Sequence, residues 1–262
     1  MSILAEQSEG ILRLTLNRPE KRNAINDTMM EELIDAVDAA GRDEAVRVIV
    51  IAGAGENFCG GADIVARNAP DGKRPRAGSI QRRLPSQAHR LIPLIATVQT
   101  PVVCAVQGWA AGIGLALALA ADVTVASEDA RFWAPFAERG FTPDSGMTWL
   151  LPRRIGEVRA RQMLMLGRVV GGREAVDWQL IDSCVPAVEL ALAVDTVAKQ
   201  LAQSATVAVG LTKWLLASGQ SASLEESLRN EAFGLELSSR SEDFREGMTA
   251  FREKRSARFE GR

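Results

Sequence analysis

The sequence holds one histidine, His89, and no tyrosine. A centre that needs two imidazoles, such as a typical zinc hydrolase site, is therefore excluded. A Ser-His-Asp triad would have to use His89, which lies in a polar, arginine-rich stretch and reads as an ordinary helix residue. The three cysteines, Cys59, Cys104 and Cys184, are scattered and show no C-x-x-C spacing. Neither a disulfide framework nor a metal site is expected from them. An excess of one charge is also missing: 31 Lys and Arg face 33 Asp and Glu, for a net charge of -2. Nucleic acid is not an expected partner on that balance. The N-terminal MSILAEQSEG has no basic region followed by an apolar run, so no secretory signal is read and a cytoplasmic location is expected. Pro101 to Ala121 carries only Gln107 as a polar residue, roughly the length of a membrane span. It is built of Ala, Gly and Val, and Pro101, Gly108, Gly112 and Gly114 interrupt it. A buried strand, a glycine turn and a buried helix are expected there, and no membrane partner.

What the chain does have is ordinary globular composition, 47% hydrophobic and 24% charged, over 262 residues. That is enough for one large core. Ile11 to Leu16 alternates and reads as a strand. Asn26 or Asp27 can cap a helix in which Met30, Leu33, Ile34 and Val37 recur at helical spacing. Val46 to Ala52 and Val102 to Gln107 read as buried strands, and Val123 to Ser127 as another. The polar segment 64–90 reads as a mobile surface loop followed by a helix from about Ser79. Leu190 to Gln203, Val207 to Ser218, Leu224 to Leu237 and Glu242 to Arg255 read as four helices, the last started by Ser241. The expected organisation is an α/β core over 1–190 and a helical region over 191–262.

Three glycine junctions follow strands: Phe58 to Ile64 (FCGGADI), Gln107 to Gly114 (QGWAAGIG) and Gly140 to Gly146 (GFTPDSG). Each can present backbone N–H groups at a helix start, which stabilises an oxyanion without a charged side chain. One such junction alone is weak evidence, since a glycine turn is usually a matter of close packing.

Together, in this order, they resemble the enoyl-CoA hydratase/isomerase (crotonase) superfamily. Leu16 to Ala24 (LNRPEKRNA), Leu151-Pro152-Arg153 and the segment from Arg245 to Arg255 extend the resemblance over nearly the whole chain. It implies an α/β fold of crotonase type, a spiral of repeated ββα units with a C-terminal helical region for trimerisation. It implies an acyl-CoA thioester substrate, no further cofactor, and a homotrimer or a dimer of trimers. The resemblance assigns the oxyanion donors to the N–H groups of Ala62 and Ile113. Ile113 stands where the family often has glycine, and its side chain is expected to narrow the acyl pocket. The resemblance also sets coenzyme A beside Arg22, Ala24, Gly60, Asp63, Ile64 and Gly112, with Phe251 and Lys254 reaching the nucleotide of a neighbouring subunit. Arg67, Lys73, Arg74 and Arg76 add phosphate contacts by charge, or form a solvated basic loop.

Hydratases of the family position water with two glutamates. The matching positions here are Ala116 and Phe136, and neither a methyl nor a phenyl group activates water. The acid that remains is Asp144, in Pro143-Asp144-Ser145-Gly146. Members with Asp here include dienoyl-CoA isomerases and the 1,2-epoxyphenylacetyl-CoA isomerase type of phenylacetate breakdown, and the pattern looks most like the latter. The implied reaction is isomerisation of an unsaturated or ring-epoxide acyl-CoA with Asp144 as acid and base. The rivals are a 2-enoyl-CoA hydratase and a non-catalytic acyl-CoA-binding member. Trp133, Phe136 and Trp149 are expected to desolvate Asp144 and raise its pKa. Glu138 stays open as an alternative base. Ser145 has no base beside it to make it a nucleophile.

Overall fold

The computed structural model describes residues 1–63 and 76–262. An edge hairpin opens the chain: β1 (Ile3–Ser8) and β2 (Ile11–Leu16) pair antiparallel. α1 (Asp27–Ala40) follows, capped by the Asn26 side chain, which accepts from Met29 N–H at 2.9 Å. Next come β3 (Val48–Gly53), α2 (Ser79–Arg83), α3 (Ala88–Thr97) and β4 (Val102–Val106). β5 (Trp109–Ala111) leads into α4 (Ile113–Ala120), then β6 (Val123–Ser127), β7 (Arg131–Trp133) and α5 (Met147–Leu166). β8 (Val170–Gly171), α6 (Gly172–Asp177) and β9 (Ser183–Val185) complete the sheets. The tail is α7 (Leu190–Ala202), α8 (Thr206–Gly219), α9 (Leu224–Ser238) and α10 (Glu242–Glu253).

The main sheet runs β1-β2-β3-β4-β6-β9 and is parallel from β2 onward. A parallel sheet is covered on both faces, and its central strands read as continuous apolar runs. β4, with sequence VVCAV, is buried at every position. One face packs on α1, α3 and the wholly buried α4. The other is covered by α7, which lays Leu190, Val194, Ala198 and Ala202 on Val48, Val50, Val103 and Val125. Their four-residue spacing keeps one helix face on the sheet. A small second sheet, β5-β7-β8, stands beside the first.

The apolar stretch from Pro101 is thus split into β4, the short β5 and α4, as its glycines predict. No helix of the described residues is long and apolar enough to cross a membrane. The strand expected from Val46 begins at Val48, because Val46 is still in a turn bonded to Asp43 O. The loop expected at 64–75 lies outside the described residues.

α8 is anchored by a buried cation. Lys213 Nζ donates to Asp122 Oδ2 at 2.6 Å, to Ile95 O at 2.8 Å and to Thr100 O at 3.4 Å. Asp122 Oδ2 also accepts from Val102 N–H at 2.7 Å, which ties the pair to the start of β4. Burial pushes the Asp122 carboxyl up and the Lys213 ammonium down, and the mutual attraction opposes both shifts. Beyond this anchor, α8 and α9 expose Trp214, Leu216, Leu224, Leu228, Phe233, Leu235 and Leu237.

Candidate active site

Two loops meet at the end of the main sheet. Cys59 and Ala110 form a parallel bridge: Cys59 N–H donates to Trp109 O at 2.8 Å, and Ala111 N–H to Cys59 O at 2.9 Å. The two segments therefore leave side by side, and three residues further along each stand Ala62 and Ile113. Glycine permits this closeness. A Cβ on Gly114 would lie 2.6 Å from both Cβ and O of Cys59. Gly61, at φ +106°, would bring a Cβ to 3.3 Å from Ala111 O.

The first loop is fixed from beneath by the segment that contains NRPEKRNA. Asn23 is fully buried and left-handed, at φ 53°. Its side chain accepts from Arg18 N–H and donates to Ala54 O and Asn57 O. Arg18 in turn holds Ala24 O at 2.6 Å and Asp63 Oδ2 at 2.9 Å. Arg22 O accepts from Gly60 N–H at 2.7 Å, and Ile25 bonds both Gly61 O and Asp63 N–H. The Ala62 N–H, between these anchored peptides, donates to no group among the described residues.

The second loop is fixed by β7. Gly112, at φ 52°, donates its N–H to Trp133 O at 3.0 Å, and the Trp133 indole N–H donates to Gly167 O at 3.1 Å. α4 starts at Ile113, and its first internal bond runs from Ala116 N–H to Gly112 O. The Ile113 N–H is thus one of the orphan donors at a helix start, where the helix dipole adds positive potential. It too donates to no group among the described residues. The Ile113 side chain is buried in the core.

The two positions at which the resemblance expects water-activating glutamates are apolar. Ala116 is fully buried, and Phe136 is 3% exposed with its ring edge-on to Phe141 at 5.6 Å. Asp144 is half-buried in the turn before α5, where it accepts from Ser145 Oγ–H at 2.9 Å. The desolvating enclosure expected from sequence is incomplete. Met147, Leu150 and Leu151 take the inner face of the first turn of α5, so the helix phase turns Trp149 outward. Trp149 is 45% exposed, with the Arg153 guanidinium 4.0 Å from its ring centre. Glu138 is exposed in a 3-10 turn, and its carboxylate lies against Gly167.

The other expected binding residues are spread more widely. Arg22 is exposed and left-handed, and Ala24 and Gly60 line the same loop. The Asp63 carboxylate is buried and engaged with Arg18 inside the chain. Phe251 is 80% exposed on α10, and Lys254 is its exposed left-handed cap. Arg76 is exposed, whereas Ile64, Arg67, Lys73 and Arg74 lie outside the described residues. Sequence reasoning missed the loop anchors Arg18, Asn23 and Trp133. The one visible signal was a polar Asn23 after the charged run Glu20-Lys21-Arg22, in a segment that already stood out.

The family model described as enoyl-CoA hydratase/isomerase matches residues 6–262. The chain is 38% identical to the 1,2-epoxyphenylacetyl-CoA isomerase of Escherichia coli K12 over 261 residues, 99% of this chain and 98% of that one. It is 33% identical to the crotonyl-CoA hydratase of Syntrophomonas wolfei, covering 98% and 97%. The crystal structure of the enoyl-CoA hydratase from Bacillus anthracis superposes with a TM-score of 0.93 at 28% identity, covering both chains fully. The chain belongs to the enoyl-CoA hydratase/isomerase family, and its fold is the crotonase α/β fold expected from sequence.

Proposed function

We propose that this protein isomerises an unsaturated or ring-epoxide acyl-CoA through a thioester enolate. In this reading the Ala62 and Ile113 N–H groups hold the thioester oxygen. Asp144 takes a proton from one carbon, the electron pair moves onto the held oxygen, and the same carboxyl returns the proton at another carbon of the conjugated system. Coenzyme A is part of the substrate, and no other cofactor is required. The observation that carries the reading is the buried apolar pair Ala116 and Phe136 where the resemblance expects water-activating carboxylates. Asp144 is the acid that remains at a matching position. The isomerase name of the Escherichia coli relative supports it, while the hydratase name of the Syntrophomonas relative supports the rival. The exposed apolar residues of α8 and α9 support assembly with further copies, which we read as a trimer or a dimer of trimers, and we place the protein in the cytoplasm.

The test is a panel of 2-enoyl-, 3-enoyl-, dienoyl- and ring-epoxide CoA thioesters with product analysis by mass spectrometry. Double-bond or ring isomerisation is expected, with Asp144→Asn lowering turnover by roughly a hundredfold or more. Rapid loss of crotonyl-CoA absorbance at low enzyme concentration overturns the ranking in favour of hydration. Binding with no exchange of α-protons in D2O leaves only the acyl-CoA-binding reading. Full isomerase turnover by Asp144→Asn removes Asp144 from the mechanism.

A further inference from the structure

Ser145 follows the proposed acid/base and occupies an unfavourable place for a serine. Its φ is 56°, in the left-handed region, and it is 1% exposed. Gly146 continues the turn at φ 74°, and a Cβ there would meet Leu150 and Ile92. Two successive left-handed residues bend the chain sharply into α5, with Asp144 O accepting from Met147 N–H at 3.1 Å. Glycine fits such a backbone without penalty and serine does not. Strained conformations of this kind concentrate at functional sites. What serine has and glycine lacks is the hydroxyl, and that hydroxyl donates to Asp144 Oδ1 at 2.9 Å.

We propose that Ser145 is a positioning residue for Asp144. Its hydroxyl fixes one carboxylate oxygen from the buried side of the turn, so that the other oxygen is presented to the substrate carbon in one orientation. The inference rests on the proposed acid/base role of Asp144. A carboxylate that must take and return one proton at two carbons gains rate from being held in line with both. Misplacement of a catalytic group by about an ångström is enough to cost roughly a hundredfold. The substrate contacts made elsewhere, at the oxyanion donors and along coenzyme A, do not depend on this hydroxyl.

The experiment compares Ser145→Gly, Ser145→Ala and Ser145→Thr with the native enzyme on a 3-enoyl-CoA, measuring kcat, KM and Tm. Ser145→Gly relieves the backbone and removes the hydroxyl. Its Tm is expected to rise while kcat falls roughly ten- to a hundredfold, with KM changed less than about twofold. Ser145→Ala is expected to lose kcat to a similar degree with no gain in Tm. Ser145→Thr keeps the hydroxyl on a worse backbone, so Tm falls and kcat stays near native. A serine that matters only to the turn gives the opposite order, with native kcat in Ser145→Gly, and that result overturns the proposal. Asp144→Asn separates the two levels. Native turnover in Asp144→Asn defeats the acid/base reading itself. Loss of turnover there with native kcat in Ser145→Gly defeats the positioning role alone.

Discussion

The proposed main-chain oxyanion donor is hard to remove by exchanging side chains, but the position of Ile113 offers a way. It is the first residue of α4, where proline is tolerated because the N–H has no helical partner. Ile113→Pro deletes the N–H and leaves the first helical bond, Ala116 N–H to Gly112 O, in place. The stability cost is confined to the packing of a buried side chain, about 1–2 kcal/mol for the loss of a methyl group and altered shape. The cost to catalysis is larger: one oxyanion donor contributes about 10²–10³ in kcat, or ~3–4 kcal/mol of transition-state stabilisation. Ile113→Val is the control. It keeps the N–H and loses a methyl group, at about 0.5–1.5 kcal/mol of stability and little rate. The assay is deuterium incorporation at Cα of a saturated acyl-CoA in D2O, which reads enolate formation alone. Exchange by Ile113→Pro within about threefold of Ile113→Val, with both variants folded by thermal melting, would refute the assignment of this donor.

Two further outcomes follow from packing and ion-pair contacts. Lys213→Met leaves the Asp122 carboxylate buried without its cation, at an expected cost of about 3–5 kcal/mol near neutral pH. Burial already raises the Asp122 carboxyl above its ordinary value, and loss of Lys213 raises it further. A carboxyl raised in the folded state stabilises in its protonated form, an effect complete below the unfolded pKa and lost as pH rises through the folded one. The Lys213→Met deficit is therefore expected to be smaller at about pH 5 than at about pH 8 in urea titrations. A deficit independent of pH contradicts the argument, and adding Asp122→Asn should recover most of the loss. Gly114→Ala inserts a methyl carbon 2.6 Å from Cys59 Cβ and O, and something must shift. About 1–3 kcal/mol of stability and a larger fall in α-proton exchange than in Ile113→Val are expected. A variant that melts and exchanges like the native enzyme shows that the two loops do not need this contact.

How much was legible depended on the range of the forces involved. β2, β3, β4 and the tail helices declare themselves by local apolar spacing, and the glycine junctions by composition. β1 does not, because five of its six residues are exposed at the sheet edge and no alternation survives. β5 and β7 are three residues each, too short to carry a period, yet they hold the second loop. The roles of the loop anchors could not be read for another reason. Asn23 gains its role from Ala54 and Asn57, and Trp133 from Gly167, partners that only folding brings close. Trp149 shows the converse: an aromatic near a candidate acid reads as a wall, but helix phase decides which side it faces.

The lacing of the two loops by the Cys59–Ala110 bridge has a consequence for inheritance. If the proposed oxyanion donors at 62 and 113 hold the substrate, the electrophilic half of the site is made of peptide groups and is copied whenever the fold is copied, whatever side chains occupy those positions. Selection is then free to exchange the acids around it one at a time. On the proposed reading, Ala116 and Phe136 leave no group there to activate water, yet the chain keeps a way to form an enolate. On that reading the main-chain half of the site sets the first step, and the second is left to a few replaceable side chains.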